Sequence, residues 1–153
     1  MRLIAQFERL RRAEQGASLV ELAMVVPFLF LLLIAAVDFG RMYFLAIEVA
    51  GAAEAGATYG SQHPSDTAGM KVAAQNDAPD VPNLVVNTPT YGCECSDGTL
   101  FSASCATTPS CTHNVVYRVT VTVTASYTSM IPWTGIPSTI NLSNTATMRS
   151  GGS

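Results

Sequence analysis

From Leu22 to Val37 the chain reads LAMVVPFLFLLLIAAV, apolar on every face, with Pro27 as its only irregularity. Extended back to Ala17, the run covers 21 residues and is interrupted by Ser18 and Glu21. As a helix rising ~1.5 Å per residue it is about 31 Å long, the thickness of a hydrocarbon core. A soluble domain of this size rarely encloses a helix that is apolar on every face, so a buried core helix fits poorly. A secretory signal would need a clean small-x-small cleavage site. Ala35, Ala36 and Val37 before Asp38 supply only a weak one. The pattern therefore predicts a membrane-spanning helix over 17–37.

Isolated glycines are the only interruptions from Val37 to Tyr59, so the helix is expected to continue to Tyr59, a total of roughly 65 Å. Ala46, Ala50, Ala53 and Ala57 share one face, and Gly56 and Gly60 add a small-xxx-small pair. Such a stripe suits close packing on the protein's own sheet and against other helices. Gln62–Asp66 is polar and holds Pro64, which predicts the end of the helix. Thr67–Asn76 reads as a short helix with Met70, Val72, Ala73 and Ala74 on its apolar side. Pro79 and Pro82 then break the chain, and Leu84–Asn87 is a candidate strand. Val115–Tyr127 is the clearest strand. Val115, Tyr117, Val119, Val121, Val123 and Ala125 alternate with Val116, Arg118, Thr120, Thr122 and Thr124. A turn at Pro132–Gly135 leads to Thr139–Met148, its antiparallel partner, and Gly151–Ser153 reads as a frayed end. The sheet's apolar face needs a cover, and the outer half of the long helix is available.

Charge sharpens this picture. The 153 residues carry a net charge of −3, and only 12% are charged. Eight Lys and Arg against eleven Asp and Glu provide no field for phosphates, so no nucleic-acid partner is expected. Four arginines (Arg2, Arg9, Arg11, Arg12) precede the apolar run, which places the N-terminus in the cytoplasm and the rest outside. Asp38 and Arg41, three apart, pair on one face and mark the far membrane–water boundary.

The junction RRAEQG-ASLVEL is the most specific feature. A basic leader ends in Gly16, Ala17 follows, and Glu21 is the fifth residue after Gly16. A carboxylate one turn into a membrane helix is costly. Cleavage after Gly16 would give Ala17 an α-ammonium, which Glu21 of the same or a neighbouring chain could pair with, setting the axial register between helices. This arrangement is that of type IV prepilins. The wider stretch, with Gly16, Ala17, Val20, Glu21, Pro27, Asp38, Gly40 and Arg41, and AIEVAGAAEAGATYG after it, resembles the TadE-like family of minor pseudopilins from Tad/Flp pilus systems. Leu22 departs from the aromatic residue common after the Glu in related prepilins.

The resemblance implies processing by a prepilin peptidase and a role in pilus assembly, adhesion or associated secretion. Its implied partners are the peptidase, the major Flp-type pilin, other minor pseudopilins and the inner-membrane assembly platform. The implied location is the inner membrane, single-pass, or a surface pilus. The expected organisation is a leader (1–16), a pilin-like stem (17–60, extracytoplasmic from 38) and a head (61–153). The fold class is α+β, with the stem's outer half packed on a small antiparallel sheet.

Cys93, Cys95, Cys105 and Cys111 fall in a Ser/Thr-rich segment, 93–111. Outside the cytoplasm they read as two disulfides stapling a loop, worth ~2–4 kcal/mol each in the entropic account. Of three connectivities, Cys93–Cys95 with Cys105–Cys111 is disfavoured by the strain of a C-x-C bridge. A metal site including His113 is the rival, but C-E-C lacks zinc-ligand spacing, and no C-x-x-C suggests redox work. Tyr127 and Trp133 are expected to cap the sheet's core rather than bind a ligand. No nucleophile elbow, phosphate loop or H-E-x-x-H occurs, so neither catalysis nor a cofactor is expected. Two competing readings are an uncleaved, single-pass anchored binding module and a type II secretion pseudopilin. Cleavage after Gly16 would leave 137 residues.

Overall fold

The structure is a computed structural model that describes the backbone of residues 2–151 and the side chains of residues 18–150. Helix α1 runs over Arg2–Gln62 and α2 over Thr67–Asp77. The strands are β1 (Val85–Val86), β2 (Thr90–Cys95), β3 (Phe101–Ser102), β4 (Val115–Thr128) and β5 (Thr139–Gly151). The fold is α+β, with a long apolar N-terminal helix and one antiparallel sheet. Helix α1 begins at Arg2, not at Ala17 as the sequence suggested, so the leader continues the helix. Residues 1–40 and 41–153 form two compact units.

In the first unit the side chains of the apolar run lie open. Phe28 is 71% exposed and Leu32 63%. Pro27 sits inside α1 without ending it. Its missing N–H removes one helix bond, which membrane helices tolerate.

The second unit is built around β4. Val119, Val121 and Val123 are fully buried, because alternation sends them to one face while Thr120, Thr122 and Thr124 go to the other. The hydroxyl face is tied laterally, with Thr122 Oγ1 2.8 Å from Thr145 Oγ1. β4 pairs antiparallel with β5 along its whole length, and with β2 and then β1 on its other edge. β3 pairs only with β2. β5 reaches Gly151, opposite Val116, so this residue is paired rather than frayed. Gly152 and Ser153 lie outside the described residues. β2 was invisible to strand periodicity because Gly92, Cys93, Glu94 and Cys95 are buried on both faces, and β3 because it is two residues long.

The outer part of α1 covers the apolar face. The buried stripe is Val49, Ala52, Ala53, Gly56, Ala57 and Gly60. It is rotated from the expected alanine stripe, leaving Ala46 and Ala50 half-buried. A Cβ on Gly56 would lie 3.0 Å from the Met70 carbonyl oxygen and from Val121 Cγ1, and 3.2 Å from Ala74 Cβ. One on Gly60 would meet Met70 Sδ and Cε at 2.8 Å. These positions let α2 and β4 approach the α1 backbone directly. On α2 only Met70 and Ala74 face inward fully. Val72, expected on the apolar side, is 53% exposed.

Asp66 caps α2. Its Oδ1 accepts from the Gly69 N–H at 2.9 Å, and its Oδ2 accepts from the Tyr59 hydroxyl at 2.7 Å. The Tyr59 ring stacks on His63. The Gly69 bond first, then the Tyr59 bond, hold the Asp66 carboxyl below its ordinary pKa.

Two outcomes follow for the full chain in detergent. Gly56→Leu overpacks the α1–α2–β4 seam and should lower the head's thermal midpoint by the equivalent of ~1–3 kcal/mol, read by circular dichroism. Asp66→Ala should lower the midpoint at neutral pH. The carboxylate is stabilising above its unfolded pKa of about 3.9, and this is lost as pH falls through the lower folded value. The difference between wild type and Asp66→Ala should therefore narrow as pH falls below the unfolded value and close only once it is below the lower folded pKa, where the cap protonates.

Candidate functional site

Gly16 and Ala17, the expected processing site, have side chains outside the described residues. Glu21 is described and lies exposed on α1. It stands four residues beyond Ala17, about 6 Å up the helix, or one turn. Pro27, Gly40 and Arg41 are exposed too, whereas Asp38 is buried at 3%. A Cβ on Gly40 would meet nothing within 4 Å, so close packing within the chain does not require a glycine there. Within the 45 residues Ser18–Gln62 is a stretch long and apolar enough to cross a membrane, none of it buried. A carboxylate and an uncovered apolar helix thus occur on one element, near its beginning.

The four cysteines close as Cys93–Cys105 and Cys95–Cys111. The bridges are interleaved, which excludes both the adjacent and the nested pairing. Cys93 and Cys95 are not in a loop, as the sequence implied, but in β2, opposite Tyr117 and Val115 of β4. Each bridge therefore ties the irregular 103–114 segment to a strand of the sheet. Gly92 is required by close approach, since a Cβ there would collide with the Ser102 carbonyl oxygen and the Phe101 ring. The β2–β3 turn is set by Asp97, whose Oδ1 accepts from the Thr99 N–H at 3.1 Å and hydroxyl at 2.8 Å. These bonds hold its carboxyl below the usual range. Gly98 takes the positive φ of 76° that this turn needs.

Sequence reasoning missed Glu94, the buried acid between the two strand cysteines. It shares a face with Arg118 and Arg149, which stand directly opposite one another in β4 and β5. Two guanidinium groups side by side repel. Glu94 Oε2 lies 3.4 Å from Arg118 Nη1, and Oε1 faces Arg149 Nε as an ion pair rather than an aligned hydrogen bond. The Phe101 ring covers the Arg118 guanidinium at 5.2 Å. The signal was present in the C-E-C spacing, because a residue between two core-facing strand positions must project to the opposite face.

With both disulfides closed, no thiolate remains for a metal or for redox exchange, and no group of three metal-ligating side chains occurs among the described residues. Two shallow depressions on the head are lined by Asn83, Thr124, Ser126 and Asn141, and by Cys93, Cys105, Asn114 and Tyr117. Neither brings together a carboxylate and a base. Glu94→Ala should leave Arg118 and Arg149 opposed and unneutralised. Because both arginines are partly solvated, the expected loss is on the order of 2 kcal/mol in thermal or denaturant melts.

The family model described as TadE-like protein matches residues 16–58, beginning at Gly16 and ending two residues before Gly60. No curated protein and no solved structure matches the chain. The matched segment is the one that holds Glu21, Pro27, Asp38, Gly40 and Arg41. Over residues 16–58, then, the chain is similar to the TadE-like family.

Proposed function

We propose that this Tad pilus-related chain is a minor pseudopilin. A prepilin peptidase cuts it after Gly16, and it acts in pilus assembly, adhesion or the associated secretion. The observation that carries the reading is Glu21, an exposed carboxylate at the head of a bare apolar helix, five residues beyond Gly16. An isolated carboxylate there is costly, and an α-ammonium released at Ala17 is the natural compensating charge. The family match, which begins at Gly16, supports the same boundary. The arginine-rich leader favours a cytoplasmic N-terminus and a head on the far side of the inner membrane. Two disulfides suit that oxidising side. The role is structural, not catalytic. Its partners are the peptidase, the major Flp-type pilin, other minor pseudopilins and the inner-membrane assembly platform. The reading assigns 1–16 to the leader, 17–60 to the stem and 61–153 to the head.

The test is the mature N-terminus, read by intact-mass spectrometry from cells with an active pilus machinery. The expected first residue is Ala17, with Gly16→Asp retaining the leader and abolishing surface pili. Glu21→Gln should still be cut, yet fall on the order of tenfold in the sheared pilus fraction, equivalent to ~1.4 kcal/mol of lost pairing. An uncut chain in that strain, or a Gly16→Asp chain that behaves like wild type, would leave the uncleaved anchored module as the better account.

A further inference from the structure

The two edges of the sheet are unlike. On one side it ends in β1 and β3, each two residues long. On the other it ends in β5, 13 residues long, which pairs with β4 and with no other strand. The β4–β5 register runs unbroken from Val116 opposite Gly151 to Thr128 opposite Thr139, so no bulge twists this edge away. β5 contains no proline and no lysine, and Arg149 is its one ionisable side chain. Short length, bulges, prolines and lysines are the devices that keep an edge from pairing with another chain, and β5 has none of them.

The ladder fixes which backbone groups of β5 point outward. Ser129 N–H donates to the Ser138 carbonyl at 3.0 Å, and these two residues continue the register of Thr128 and Thr139. Hydrogen-bonded pairs recur at every second position of an antiparallel ladder. Ala125 with Leu142, Val123 with Asn144, Val121 with Ala146 and Val119 with Met148 are therefore bonded pairs, and these four β5 residues turn their N–H and C=O toward β4. Asn87 N–H donates to the Thr122 carbonyl at 3.0 Å on the far side of β4, which sets the same phase independently. The N–H and C=O groups of Thr139, Asn141, Ser143, Thr145, Thr147 and Arg149 then point away from β4. All six residues are exposed.

We propose that the outer edge of β5 takes up an extended segment of another protein as a further strand of the sheet. The backbone row supplies the hydrogen bonds, and the side chains flanking it select the segment. On the face that α1 covers, the β4 valines are fully buried, but Ile140, Leu142, Ala146 and Met148 of β5 are only half-buried. An added strand places alternate side chains beside these four, so apolar residues fit there. On the other face stand the hydroxyl and amide side chains of Thr139, Asn141, Ser143, Thr145 and Thr147, and residues of the same kind fit beside them. From Thr139 to Met148 the edge has no charge to offset one brought by a partner. An acidic side chain is matched only beside Arg149, whose side chain is 57% exposed. The occupant is thus an uncharged segment that alternates apolar and hydroxyl residues, the pattern of β4 itself.

The probe is a synthetic peptide with the sequence of residues 119–128, VTVTVTASYT, and its target is the full chain in detergent. Amide hydrogen exchange is read residue by residue by NMR. Without peptide, the amides of Asn141, Ser143, Thr145 and Thr147 should exchange fast, and those of Leu142, Asn144, Ala146 and Met148 slowly. Saturating peptide should slow the first set by on the order of tenfold or more and leave the second unchanged. Thr145→Pro removes an outward N–H and no bond to β4, so it should keep the sheet by circular dichroism while weakening the peptide about tenfold. Thr147→Lys, which alters no backbone group, should weaken the peptide as well, and it alone decides if the proline variant does not fold. No slowing of the outward amides at about 1 mM peptide overturns the proposal. Protection confined to other strands, or persisting in the folded variants, overturns it too. Outward amides that are already slow without peptide, and faster on dilution, overturn it in favour of pairing between two copies of β5.

Discussion

The head depends on one constraint: the α1 backbone must come within van der Waals reach of α2 and β4 at once. Ala52, Ala53, Gly56, Ala57 and Gly60 make that possible by presenting almost no side chain. The valines of β4 then bury themselves against the helix instead of against larger side chains of their own layer. Met70 supplies bulk from α2, filling the space beside Gly60 with an unbranched chain that adapts to an irregular gap. The core is small, and its density comes from short residues in contact with backbone. Cross-links elsewhere complement it, namely the two disulfides and the Glu94–Arg pairs, which secure the part of the sheet farther along β2.

Much of this was legible in the sequence, for identifiable reasons. The apolar run announced itself because no face was interrupted, and β4 because its alternation is clean over many residues. The short helix α2 was visible through its apolar residues Met70, Val72, Ala73 and Ala74 and the prolines after it. Three things were hidden. The phase of the buried stripe on α1 was misjudged because alanine is common on several faces of 46–57, and composition alone does not choose between them. β2 was hidden because a strand buried on both faces, with a glycine and two cysteines in it, has no polar phase. The Glu94 pairing was hidden because its two arginines come from positions 118 and 149, brought side by side only by the β4–β5 register.

The stem shows a different division. Glu21, Pro27 and Arg41 were singled out for their types and spacing, and they lie exposed on α1, whose apolar run is uncovered among the described residues. Side chains left open in this way are explained by what surrounds the chain, whether lipid or other helices, rather than by its own folding. The head's residues, in contrast, answer to one another. The boundary between the two units, after Gly40, falls where all-round apolarity gives way to a one-sided stripe.

Strand pairing has a consequence for the order in which the molecule is made. β1, β2 and β5 all pair with β4, and only β3 finds its partner elsewhere. Until residues 115–128 are available, the preceding 41–114 have nothing to form a sheet on beyond the two-residue β2–β3 pair. During synthesis from the N-terminus, Cys93 and Cys95 therefore emerge side by side before the strand that fixes their geometry. The interleaved bridges belong to a late step. An oxidant that acted sooner would meet a chain free to choose among all its pairings, and the correct choice is made when β4 arrives and turns both thiols to one face.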